Sequence, residues 1–138
     1  MMVFNCPKCL AEPGSHSFYK MKETKEGISI FYTCPAKTKY PNDNQGIMEH
    51  YAGIMEDNGS KPWIWIVDSN GFSMEHALNI SLAKDLAKMI NDKYSHNLKK
   101  IIIVNPTWHI KTTLAVVKPF LSDRVNQLIF KSKVKFEI

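Results

Sequence analysis

Long apolar runs are missing from this chain of 138 residues. The longest, Trp63–Val67 and Ile101–Val104, are strand-sized, far short of the roughly 20 residues that a membrane-spanning helix needs. Arginine is almost absent: Arg124 stands alone among lysines, which argues against the forked base contacts of sequence-specific nucleic-acid readers. The first residues lack both a charged n-region and an apolar core, so no signal peptide is expected. Three cysteines without a secretion signal point to a reducing compartment and a cytoplasmic protein. There is no Gly-x-Ser-x-Gly elbow and no Gly-rich phosphate loop, so the usual acyl- and phosphoryl-transfer machinery has no foothold.

What remains is a globular composition, 44% apolar and 22% charged, on a chain long enough to bury one core. The net charge of +5 is uneven. Residues 1–68 carry 7 lysines against 8 acids, and residues 69–138 carry 11 basic residues against 5. Scattered lysines suit a solvated face or a weak attraction to anionic headgroups.

Periodicity outlines the elements. Residues 1–16 read as a loop. Strands are expected over 17–21 and 28–33, joined by the turn residues 23–27. Ile47, Tyr51, Ile54 and Met55 share one face of a helix over about 43–57, closed by Asn58-Gly59. A central strand at 63–67 is apolar on both faces. Ser73 caps a single helix reaching about residue 93, with Leu78, Leu82, Leu86, Met89 and Ile90 on one stripe. A strand at 101–104 leads through Asn105-Pro106 into a helix over 107–121 that is oily around its circumference. An extended piece follows from 125 to 130, with alternating residues continuing to 138. This order predicts an α/β fold, a mixed, mostly parallel sheet sandwiched by helices in a single domain.

The second half resembles the CRAL-TRIO lipid-binding domain. Trp65-Ile66-Val67-Asp68-Ser69-Asn70-Gly71-Phe72-Ser73 is similar to that family's strand followed by Asp-x-x-Gly. Asn105-Pro106-Thr107-Trp108, Ile110-Lys111-Thr112 and Lys118-Pro119-Phe120-Leu121-Ser122 resemble its short, divergent branch in Rho GTPase-activating proteins and BCH-type scaffold domains. The likeness covers about residues 17–130 and divides the chain into an N-terminal loop with a CxxC motif, 1–16, and a CRAL-TRIO-like domain, 17–138. It implies a sheet that floors a lipid site and a mobile helix over 107–121 as its lid. Opening such a lid in water would expose apolar area at roughly 25 cal/mol per Å², a cost that a membrane surface offsets. In phosphatidylinositol-transferring members a Tyr-Pro-acidic sequence precedes the third strand; Tyr94-Ser95-His96 lacks the acid, so no phosphoinositide site is carried over.

The expected function is non-enzymatic binding of a lipid or small hydrophobic molecule, with transient membrane contact during exchange. The alternative is a protein-interaction scaffold with a collapsed cavity and a small GTPase or other protein as partner. No catalytic residue, cofactor, metal or nucleic-acid partner is assigned. The lipid-binding residues are expected to be Ile64, Ile66, Ile102 and Val104 on the floor, with Trp108, Ile110, Leu114, Val117, Phe120 and Leu121 from the lid. The sequence leaves open which face of the 63–67 strand looks toward the lid. On the lid itself, Ile110–Leu114–Val117–Leu121 and Trp108–Ala115–Val116–Phe120 form two stripes, one able to cover the floor and the other to meet lipid. Cys6-x-x-Cys9 with His16 and Cys34 has the residue types for four-fold zinc ligation, but a single CxxC is half a signature, and the simpler reading is unbound thiols.

Overall fold

The computed structural model describes residues 5–132. A five-residue helix α1, Pro7–Ala11, opens the chain, with Pro7 in its first turn; the loop expected there is helical because proline's fixed φ suits that position. The hairpin β1, Tyr19–Glu23, and β2, Ser29–Thr33, pairs antiparallel. Gly27, at φ 82°, supplies its turn and donates its N–H to Thr24 O at 3.0 Å. Helix α2, Asn44–Asn58, begins where Asp43 accepts the Gly46 N–H at 3.2 Å and ends at Gly59, whose φ is 62°.

β3, Trp63–Asp68, and β4, Leu98–Val104, continue the sheet in parallel. The single helix expected between them is two. α3, Met74–Ala77, breaks at Leu78, and α4, Ile80–Met89, restarts because Asn79 caps it, accepting from Leu82 N at 3.4 Å. Leu78 therefore leaves the inner stripe and is exposed. A π turn, Ile90–Tyr94, follows α4. Its last carbonyl, Tyr94 O, accepts the indole N–H of the fully buried Trp63 at 3.0 Å.

After β4 come α5, Trp108–Val117, a 3-10 turn, Lys118–Phe120, α6, Asp123–Gln127, and β5, Ile129–Lys131. Residues 125–127, expected to be extended, are helical because Ser122 caps α6 by accepting from Val125 N at 3.2 Å. The strand expected to continue through 133–138 lies outside the described residues.

The strand order is β1-β2-β3-β4-β5, mixed because only the hairpin is antiparallel. Each parallel strand is laid beside its predecessor, so right-handed crossovers carry successive helices over the same face. The main core reflects this. Phe31, Trp63, Val67, Ile101 and Ile103 join Ile47, Tyr51 and Met55 of α2, Ile110 of α5 and Val125 of α6 in one cluster. The opposite face holds a smaller cluster of Tyr32, Cys34, Ile66 and Val104, flanked by Met21, Ile30, Ala36 and Ile102.

Asp68 fastens the carboxyl ends of the strands. It accepts from Tyr32 OH at 2.7 Å, Asn70 N at 3.0 Å and Asn105 Nδ2 at 3.1 Å. Asn105 itself takes φ 50° to turn the chain out of β4, a conformation asparagine tolerates better than most residues. Burial alone would raise the Asp68 carboxyl, but these three donors hold it below its ordinary value. The charged form therefore contributes stability above the unfolded value near 3.8, and that contribution is lost as pH falls through the lower folded value. Asp68→Ala should cost about 1–3 kcal/mol at neutral pH, since it strands buried donors. In denaturant titrations across pH, the gap from the parent protein should narrow below about pH 4.

Candidate functional site

Side chains alternate along a strand, and in-register neighbours of a parallel pair point the same way. Trp65 pairs with Ile101 and Val67 with Ile103, while Ile64 pairs with Lys100 and Ile66 with Ile102. The first set meets the helices. A cavity of about 190 Å³ lies over it, walled by Leu82, Leu86 and Ile90 at one side and by Ile110, Leu114, Val117 and Leu121 at another. Ile47 and Tyr51 of α2 close the far side, and Ile129 of β5 contributes to the lining.

The expected site divides accordingly. Ile110, Leu114, Val117 and Leu121 line the cavity. Ile64, Ile66, Ile102 and Val104 do not: the pairing register puts them on the opposite face, where Ile66 and Val104 belong to the smaller cluster. Trp108 and Phe120 are also outside the lining. Trp108 is 69% exposed, and the Phe120 ring lies 5.1 Å from Lys84 Nζ. The floor is Trp65 and Val67, on the face of the 63–67 strand that the sequence left as an open alternative, with Ile101 and Ile103, which were not among the expected site residues. One signal was available. Lys100 shares its parity with Ile102 and Val104, and a lysine marks the wetter face of a strand.

Polar groups gather at one end. Thr33 Oγ1 and Tyr51 OH lie 2.9 Å apart, and Thr33 Oγ1 also donates to Ser17 O. Burial pushes the Tyr51 hydroxyl up to about 12, so it stays protonated. Thr38, Asn42, Asn79, Glu75 and His76 complete this rim. His76 Nδ1 accepts the Ser73 N–H at 3.1 Å, which fixes the ring at the start of α3. Three buried side-chain atoms among the described residues lack a hydrogen-bond partner, and two of them, Trp65 Nε1 and Thr113 Oγ1, belong to cavity-lining residues.

Around this cavity, apolar side chains continue onto the surface. Met74 and Leu78 near α3, Ile80 at the start of α4 and Trp108 at the start of α5 are all exposed, and α5 contacts both α3 and α4. Among the described residues, no helix is long and apolar enough to cross a membrane. Cys34 is fully buried on the other face, with Sγ 3.7 Å from Asn70 O, and so stands apart from Cys6 and Cys9.

Fold and cavity together define an α/β domain with an apolar chamber between its sheet and α5. The model of the CRAL/TRIO domain matches residues 15–136, and the chain belongs to that family. Rho GTPase-activating protein 1 of Homo sapiens is 24% identical over 103 residues, covering 75% of this chain and 24% of that protein. A Bcl-2/adenovirus E1B 19 kDa-interacting protein 2-like protein of Mus musculus is 25% identical over 134 residues, covering 94% of this chain and 38% of the relative. Protein prune homolog 2 of Mus musculus is 43% identical over 53 residues, which cover 38% of this chain and 2% of the relative. The chain thus spans well under half the length of each of these relatives. The crystal structure of Sfh5 superposes with a TM-score of 0.65 over 83% of this chain and 46% of that one, at 12% identity, a likeness of fold.

A buried hydroxyl without a partner carries a desolvation cost. Thr113→Val, which keeps the shape and removes the hydroxyl, should raise the stability of the ligand-free protein by about 1 kcal/mol in denaturant unfolding. A loss instead would mean that an internal water or guest bonds this oxygen in solution.

Proposed function

We propose that the domain binds an apolar ligand of the acyl-lipid class in the chamber between α5 and the Trp65–Val67–Ile101–Ile103 surface. The observation that carries this reading is the chamber, whose walls are almost wholly aliphatic and aromatic. Its volume of about 190 Å³ exceeds the roughly 150 Å³ at which an engineered apolar cavity stays dry and takes up benzene. It falls below the roughly 300 Å³ of a drug-sized site. Part of one chain fits the closed state, and a longer one requires α5 to move outward. Family membership supports the ligand class. Exposed Trp108, Met74 and Leu78 give the same flank an apolar surface for meeting a bilayer, where opening costs less than in water.

Purified protein exposed to acyl lipids should retain them in native mass spectra and should move a fluorescent acyl lipid between vesicles. Leu114→Phe, which fills the chamber, should weaken retention about tenfold, or ~1.4 kcal/mol. Ligand-free spectra throughout, with no transfer, would overturn the reading.

The modest chamber, together with the exposed Met74, Leu78, Ile80 and Trp108, favours one competing reading. In it the interior is merely packed and the apolar flank docks a protein, with a small GTPase suggested by the relative named for Rho GTPase activation. GTPase capture that is lost in Trp108→Ala, by a protein that never takes up lipid, would select it.

A further inference from the structure

We propose that Cys6, Cys9, His16 and His50 hold one Zn²⁺ ion in a closed tetrahedral site that fastens the first described residues to α2. The four donor atoms lie within 4.8 Å of one another. Cys6 Sγ is 3.4 Å from His16 Nδ1, and Cys9 Sγ is 3.8 Å from His16 Nδ1 and 3.7 Å from His50 Nδ1. Zinc bonds of about 2.3 Å to sulfur and 2.0–2.1 Å to nitrogen, at tetrahedral angles, set the sulfur–nitrogen edge at about 3.6 Å. The three sulfur–nitrogen distances match that edge, and with all four donors inside 4.8 Å a small inward shift of the side chains would complete the tetrahedron.

Orientation agrees with distance. His50 Nε2 is 2.7 Å from Phe18 O, and His16 Nε2 is 2.9 Å from Asp43 Oδ2. A carbonyl and a carboxylate can only accept, so in the neutral form that binds metal each ring would carry its proton on Nε2 and present the Nδ1 lone pair toward the sulfurs. A backbone carbonyl and a carboxylate on the outer nitrogens are the partners that orient metal-bound histidines. Cys6, His16 and His50 are buried and Cys9 is half-buried. Such burial leaves no evident place for a water ligand, as in a structural rather than catalytic zinc centre. Locally, Pro7 starts α1, and Leu10 N donates to Cys6 O at 3.0 Å. That single helical turn brings the two thiols of the CxxC motif to one side.

Without metal, the same cluster has to rely on thiol S–H donors, which are weak. With zinc, both thiols ionise and release their protons to solvent, so loading should weaken in acid. The ion would join residues separated by most of the first third of the chain, and ties of that kind convert binding energy into folding energy.

The test uses the full chain, reduced and loaded with Zn²⁺ alone, with no lipid present, so its outcome is independent of the chamber. Elemental analysis after desalting should find one zinc per chain, and a chelator should lower the melting temperature. Cobalt loading should give the intense visible bands of tetrahedral Co²⁺ with thiolate charge transfer. Cys9→Ser and His50→Ala should each lose the metal and the cobalt spectrum, while Cys34→Ser keeps both. If the ligand variants fail to fold, the cobalt spectrum of the parent and the metal content of Cys34→Ser still decide. Octahedral cobalt, far less than one zinc per chain, loss of metal in Cys34→Ser, or a Cys6–Cys9 disulfide in freshly reduced protein would overturn the proposal.

Discussion

Sequential addition of parallel strands in one direction is the constraint on which this structure depends. Crossover handedness then sends the connecting helices to a common side, and the main core confirms it by gathering residues of α2, α4, α5 and α6 against one sheet face. The chamber follows from that stacking. It is lined by residues of α4 and α5 together with Trp65 and Ile101 of the sheet. Among the described residues, the cluster on the opposite face is built from strand residues with Cys34 and Ala36.

The order and kind of the main elements were legible because hydrophobic periodicity reports them directly. Ile47, Tyr51 and Met55 share a buried face, as their spacing implies. Boundaries were harder, because short polar caps act locally against a longer pattern. Asn79 divides one expected helix, and Ser122 turns an expected strand into α6. Sheet sidedness was hardest. β3 is apolar on both faces and carries no internal mark of which one meets helices. The mark lies on β4, where Lys100 shares the parity of Ile102 and Val104, and the pairing register puts these with Ile64 and Ile66 on the face away from the chamber. On α5 the spacing marks two apolar stripes without ranking them, and the fold turns Ile110, Leu114, Val117 and Leu121 to the chamber while Trp108 is left exposed. His50 was invisible as a neighbour of Cys6 and Cys9, since only the fold brings α2 against α1.

Aromatic packing limits how the chamber can change. Phe18 stacks on Phe31 and Tyr51 at 5.3 and 4.1 Å between ring centroids, and Trp65 meets Phe18 edge-on at 6.1 Å. Rings locked in this way form a stiff wall under α2. The aliphatic wall of Leu82, Leu86, Leu114 and Val117 has no such interlock, so any enlargement falls on the α4–α5 side.

The π turn after α4 adds one residue to a helical repeat. Ordinary α-helical winding turns about 100° per residue, so this single surplus residue resets the phase of everything downstream. It delivers the Tyr94 carbonyl to the Trp63 indole and starts β4 with Leu98 facing inward. Removing one residue there would shorten the chain trivially yet rotate the entry to β4. The helix–strand junction therefore behaves as a gear whose tooth count, more than its composition, is held by the fold.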